Sequence, residues 1–197
     1  MKEDILEQIV EDYLQSQGFF TRHNVKFRPD PTDPDFVSKD DSNYSDIDII
    51  GLHPDPSKPV MVVSCKSWQA GHDPVAYWAA VAKTGKHKGR VGWKAYRELT
   101  VPKWGRAFCE KVQEVSGRSD FEYLTAVTRL IGGAPAQAAW ESNPIALENL
   151  RNNPIRIITI HDMVQKMLPA MTTTTEGSML GRTLQLLKTA DCLRTDI

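Results

Sequence analysis

The apolar positions along this chain change period several times, and each change marks an element. Ile5, Leu6, Ile9, Val10, Tyr13 and Leu14 recur at helical spacing, which predicts an amphipathic helix over residues 3–17 that stops at Gly18. Residues 19–28 alternate imperfectly and predict a first strand. Residues 29–43 hold three prolines and five aspartates, which forbids a strand interior and reads as a solvated loop. Two β-branched runs, 44–52 and 59–68, flank the turn residues His53-Pro54-Asp55-Pro56-Ser57-Lys58 and predict a hairpin. With the turn centred near Pro56, Asp48 falls opposite Ser64 and Asp46 opposite Lys66. Period-two alternation then puts 46, 48, 64 and 66 on one face.

The second half follows the same logic. Asp73-Pro74 starts a mostly apolar helix that runs to residue 84. Residues 93–115 predict one or two helices interrupted near Pro102. Residues 120–131 predict a central strand closed by Gly132-Gly133, and 135–151 a helical stretch broken at Asn143-Pro144. Residues 155–160 read as a buried strand, 163–168 as a short helix, and four threonines at 172–175 as a linker into an amphipathic helix over 177–190. The later strands are expected to extend the sheet in parallel, each reached through a helix. The expected organisation is one α/β domain over residues 1–170, with 171–197 forming a linker and a C-terminal helix that packs on the domain or on a partner.

Composition bounds the class. The chain has 197 residues, 41% hydrophobic and 25% charged, as in a globular protein with a sizeable core. A net charge of −1 gives no global signal for nucleic acid, so any such surface must be local. Three cysteines without metal-type spacing read as reduced thiols. No apolar run approaches the roughly 18 residues of a membrane span, and the Met-Lys-Glu-Asp start is unlike a signal peptide. The expected location is the cytoplasm, without a membrane partner.

The chemistry concentrates in two places. A carboxylate and an ammonium on one face of an otherwise apolar hairpin suit a metal-dependent phosphodiester site, the acid holding a hard divalent cation and the lysine orienting water or neutralising phosphate. A surface hairpin with one polar face is the plainer alternative. Residues 83–97 form the one concentrated basic segment. Lys83, Lys86, Lys88, Arg90 and Lys94, interleaved with Trp93 and Tyr96, are the candidate nucleic-acid contacts. A solvated linker into a helix would look the same.

An acid on one strand followed on the next by acid-x-Lys resembles the restriction-endonuclease-like PD-(D/E)xK nucleases. Asp48 matches the first acid and Lys66 the lysine, while Ser64 stands where the family has Glu, Asp or Gln. The first helix, with Glu7 eleven residues before Gly18, resembles that of Mrr-type endonucleases and Holliday-junction resolvases. The resemblance covers about 90 residues, from Glu7 to near Thr84. It implies an αβββαβ core with a mixed central sheet flanked by helices, here with a C-terminal helical extension. It implies catalytic roles for Glu7, Asp48, Ser64 and Lys66. Mg²⁺ or Mn²⁺ would be held by Asp48, Glu7 and the backbone carbonyl of Cys65, with Asp46 supplying charge that Ser64 lacks, and DNA would be the substrate. Replacing Ser64 by Glu is expected to restore the family pattern and raise activity. Three other classes stand beside this one: a degenerate relative that binds nucleic acid without cutting, a structural domain that forms a homodimer through residues 177–190, and a thiol enzyme using Cys65 or Cys109, for which no specific Cys–His pattern exists.

Overall fold

The computed structural model describes residues 4–84, 86–87, 90–174 and 176–193. Helix α1 (Ile5–Ser16) buries Leu6, Ile9, Val10, Tyr13 and Leu14, the predicted stripe. Its end is set by Gly18, whose φ of 87° suits glycine, and a Cβ there would meet the His53 ring at 2.9 Å. Strands β1 (Phe20–Phe27), β2 (Ser45–Leu52) and β3 (Val60–Lys66) follow. Helix α3 (Pro74–Thr84) and a two-stranded ribbon, β4 (Lys86–His87) with β5 (Arg90–Val91), lead to α4 (Arg97–Thr100) and α5 (Pro102–Ser116). Strand β6 (Phe121–Val127), helices α6 (Gly133–Glu141) and α7 (Pro144–Asn149), strand β7 (Ile155–Thr159) and helices α8 (Ile160–Met167) and α9 (Met179–Thr189) complete the order.

Five strands form one mixed sheet in the order β1-β2-β3-β6-β7. The β1–β2 and β2–β3 pairs are antiparallel, and β3–β6 and β6–β7 are parallel, each parallel step crossing through helices as it must. Helices cover both faces. One core holds Val60, Val62, Tyr77, Tyr96, Trp104, Phe108 and Trp140, and the other packs α1 and α8 on Ile49, Val63, Cys65, Leu124 and Ile158. β3 is therefore buried on both sides. Helix α9 packs on the domain itself: Leu184 is buried beside α1, Ser178 donates to Asp12 at 2.5 Å, and Lys188 donates to the carbonyls of Leu168 and Met171. No helix among the described residues is long and apolar enough to cross a membrane.

The structure departs from the pattern at four places. β6 ends at Val127, and residues 128–131 leave the sheet to pair with His72 instead, through His72 N–H to Arg129 and Ile131 N–H to His72. α8 begins at Ile160, three residues early, because Thr159 and Asp162 form a capping box. Strict alternation also fails in β2. Ile47 and Ile50 belong to the larger core and Ile49 to the smaller, so the strand switches faces around Asp48. Opposite Asp48 in the β1–β2 register, Asn24 adopts a φ of 54° and leaves the ladder.

The fourth departure is the acidic loop, which is anchored rather than solvated. A short helix α2 (Ser38–Asp41) lies inside it, and Asp41 is fully buried. The Asp41 carboxylate accepts from Val37 N–H at 2.7 Å and from the Trp104 indole at 2.9 Å, and pairs with Lys103 at 2.6 Å. Asp33 pairs with Arg106 at 2.7 Å. Burial pushes the Asp41 carboxyl up, and the Lys103 ammonium with the two N–H donors outweighs it, so Asp41 titrates below the ordinary aspartate range. A group of this kind stabilises the fold at neutral pH and loses that contribution as pH falls through its lowered value. Asp41→Asn is expected to cost about 3 kcal/mol at neutral pH, as loss of one partner of a buried pair does. In urea melts the gap to the wild type should narrow below the ordinary aspartate value of 3.8.

Candidate active site

The β2–β3 ladder pairs Ile49 with Val63, Ile50 with Val62 and Gly51 with Met61. Continued by one residue, that register sets Asp48 opposite Ser64, and by three, Asp46 opposite Lys66. The ladder stops at Ile49, and the Asp48 carboxylate, not a backbone carbonyl, receives the next strand N–H, that of Cys65, at 2.6 Å. Lys66 Nζ lies 4.0 Å from Asp48 Oδ2. The Lys66 and Asp48 side chains keep 18% and 20% of their exposure, so they are largely desolvated yet reachable from solvent.

Glu7 stands in the first turn of α1. The N-cap Asp4 uses both carboxylate oxygens: one accepts from Leu6 N–H at 2.9 Å, and the other accepts from the Ser67 hydroxyl at 2.7 Å. That second bond ties the first turn of α1 to the residue after Lys66 and sets where Glu7 stands. Burial raises the Glu7 carboxyl, and the charge of Asp48 raises it further. Burial likewise raises Asp48, against the opposing pull of Lys66 and the Cys65 N–H. Asp46 is engaged elsewhere, in an exposed pair with Lys26 at 2.6 Å, although its charge is felt by both Glu7 and Asp48. The Cys65 thiol faces the smaller core and burial pushes it far up, which disfavours the thiolate; Cys109 is also buried and raised, to about 11.

Ser64 is buried, and Lys66 Nζ donates to its hydroxyl at 2.8 Å. Tyr123, fully buried on β6, donates to Glu98, a residue with no predicted role, which is 7% exposed. Burial raises the Glu98 carboxyl, with the Lys66 charge acting against the shift. α4, which carries Glu98, is held by Asn149 donating to Leu99 O at 2.9 Å, and α5 comes so close that a Cβ on Gly105 would meet Asn149 O at 2.6 Å and Glu98 O at 3.0 Å. The Lys66 ammonium also sits over the Tyr96 ring, 5.0 Å from its centroid.

A groove of about 620 Å³ lies beside Glu7, between α1, β1 and the start of α9, lined by Asp4, Glu7, Glu11, Asp12, His23 and Ser178 among others. Neither Asp48 nor Lys66 lines it, and its carboxylates would repel a phosphate backbone. Among the described residues, no group of three or more His, Cys, Asp or Glu side chains converges as a metal cage. Of the expected nucleic-acid contacts, Lys88 lies outside the described residues, as do the side chains of Lys83, Lys86 and Arg90. Lys94 is described; it pairs with Asp40 at 3.4 Å and lies over Trp93. Comparison with protein-family models, with curated proteins and with solved structures found no match to this chain.

Glu98 gives the site a measurable pH signature. In the folded protein it keeps its proton to a higher pH than a glutamate with the ordinary value of 4.5, so stability is given up as pH rises past that value. Glutamine keeps the acceptor for Tyr123 without the charge. Glu98→Gln is therefore expected to melt above the wild type at about pH 8 and to match it at about pH 4. A wild-type melting curve that rises across this range relative to the variant would contradict the buried, proton-retaining Glu98.

Proposed function

We propose that this protein is a divalent-metal-dependent DNA endonuclease with a restriction-endonuclease-like core. The observation that carries this reading is the meeting of Asp48 and Lys66 at the open end of the β2–β3 hairpin, 4.0 Å apart and still reachable. A helix, an antiparallel three-strand meander and a fourth strand parallel to the third also follow the order that the PD-(D/E)xK resemblance implies.

Glu7 and Asp48 would hold the cation. Two hard-oxygen carboxylates, both titrating high because they are desolvated among other acids, suit Mg²⁺ or Mn²⁺, ions that keep several waters and need few protein ligands. When bound, the ion supplies positive charge to the phosphodiester and an acidified water. Lys66 contributes what the chain itself can: a fixed ammonium beside Asp48 that neutralises a phosphate oxygen or orients the attacking water. The Asp40–Lys94 pair is exposed and weak, so Lys94 is free to exchange it for a phosphate. On this reading the protein works in the cytoplasm with its thiols reduced.

Binding without cutting is the second reading. It is favoured by Ser64, whose hydroxyl is committed to Lys66 and brings no carboxylate to a cation. Ser64 is also buried, so Ser64→Glu would insert a larger, charged side chain beside Lys66 and is expected to cost stability whatever it does to metal binding.

Supercoiled-plasmid nicking distinguishes the two readings. The wild type should nick with Mg²⁺ and more with Mn²⁺, which binds oxygen and nitrogen sites more tightly than Mg²⁺, and chelator should stop it. Asp48→Asn and Lys66→Met should each lower the rate by about 100-fold or more while melting as cooperatively as the wild type. DNA binding with no nicking in either metal would establish the second reading, and cutting that survives both substitutions would remove the site from the mechanism.

A further inference from the structure

The acidic loop over residues 29–43 meets a row of basic side chains. Lys94 pairs with Asp40 at 3.4 Å, Lys103 with Asp41 at 2.6 Å, and Arg106 with Asp33 at 2.7 Å. Arg97, on α4 between Lys94 and Lys103 in sequence, is left out of this matching. Among the described residues it forms no ion pair, and its Nε and Nη1 are buried without a hydrogen-bond acceptor. Two indoles hold it instead. Its guanidinium carbon lies 4.6 Å from the ring centre of the fully buried Trp104 and 5.8 Å from that of the half-buried Trp93. Stacking on ring faces recovers part of the cost of desolvating a cation, but it supplies no counter-charge and no acceptor for an N–H. The Lys94 ammonium lies over the same Trp93 ring at 5.3 Å. Two like charges at one ring repel each other, and an anion that met both would relieve the repulsion and balance the guanidinium. A residue kept only to pack on Trp104 would be served by methionine, which fills the slot without a charge.

We propose that Arg97 and Lys94, gathered at the Trp93 ring, form a subsite for a phosphodiester group of DNA. This rests on the reading of the protein as one that acts on DNA. Arg97 is the fixed member, because the two indoles hold its guanidinium in place before any ligand arrives. Its Nη2, the one guanidinium nitrogen not buried without a partner, is the atom that donates to the phosphate. Lys94 is the movable member, on a flexible stem, and exchanges the exposed Asp40 carboxylate for the phosphate. Arg97 directly follows Tyr96, whose ring carries the Lys66 ammonium at 5.0 Å, so consecutive residues bear the subsite and the wall of the candidate active site.

The test is equilibrium binding of the full chain to a fluorescent DNA duplex over a salt series, with chelator present so that no cutting occurs. Arg97→Met keeps the stem on Trp104 and removes the charge. It is expected to weaken binding about tenfold and to lower the slope of log K against log salt by about one phosphate contact, whatever the duplex sequence. Lys94→Met should weaken binding about threefold, and Asp40→Asn, which releases Lys94, should tighten it by about the same factor. A packing role alone would lower the melting temperature of Arg97→Met and leave the salt slope intact. Affinity and slope unchanged in Arg97→Met overturn the proposal. So does a wild type that does not bind the duplex; uptake of inorganic phosphate alone, read by calorimetry, would then mark a small-anion site instead. Should Arg97→Met fail to fold, the exposed pair decides, and binding unchanged in both Lys94→Met and Asp40→Asn overturns the subsite. Plasmid nicking tests the nuclease reading separately. Binding through Arg97 without nicking upholds the subsite while that reading falls, and nicking with binding indifferent to Arg97→Met does the reverse.

Discussion

The structure around the candidate site depends on how a charged amine is kept at the end of a strand buried on both faces. β3 lies between two cores, and Lys66 stands at its end with its side chain largely withdrawn from solvent. Desolvation alone would make an ammonium there costly. Asp48, Ser64 and the Tyr96 ring offset that cost, from β2, from β3 itself and from the turn before α4. The sheet order that makes β3 central is thus also what lets groups from several elements reach one nitrogen.

The same constraint accounts for the irregular end of the hairpin. If β2 and β3 stayed paired through Asp48, the Cys65 N–H would meet a backbone acceptor and the carboxylate would have no fixed place. The ladder instead ends at Ile49, Asp48 takes the Cys65 N–H, and the partner residue Asn24 turns into the left-handed region. Asparagine tolerates that conformation better than most residues. The switch of β2 between cores at residues 47–50 is the packing counterpart of this local break.

Much of this was legible in the chain. The hairpin register followed from a turn centred near Pro56, and α1 from an unbroken stripe, because both are dictated by local periodicity. The flip of β2 around Asp48 was not legible, since each β-branched residue there suits either face. Asp41 was hidden because an aspartate in a Pro/Asp-rich loop gives no sign that Lys103 and Trp104, some sixty residues on, will bury it. Glu98 sits in a four-residue helix, too short to show a period, and its partner Tyr123 looks like an ordinary strand aromatic. Asp4 did carry a signal: an aspartate three residues before Glu7 at a helix start is a capping pattern, and it is this cap that reaches Ser67.

On the proposed reading, a cation lies between Asp48 at the open strand end and Glu7 on the first turn of α1. The most direct measurement is a calorimetric titration of Mn²⁺ into the wild type and into Asp48→Asn. One saturable site in the wild type, absent from the variant although the variant melts normally, is the predicted result. Binding that persists unchanged in Asp48→Asn, or a wild type that takes up no Mn²⁺, would contradict a metal site at Asp48 and Glu7.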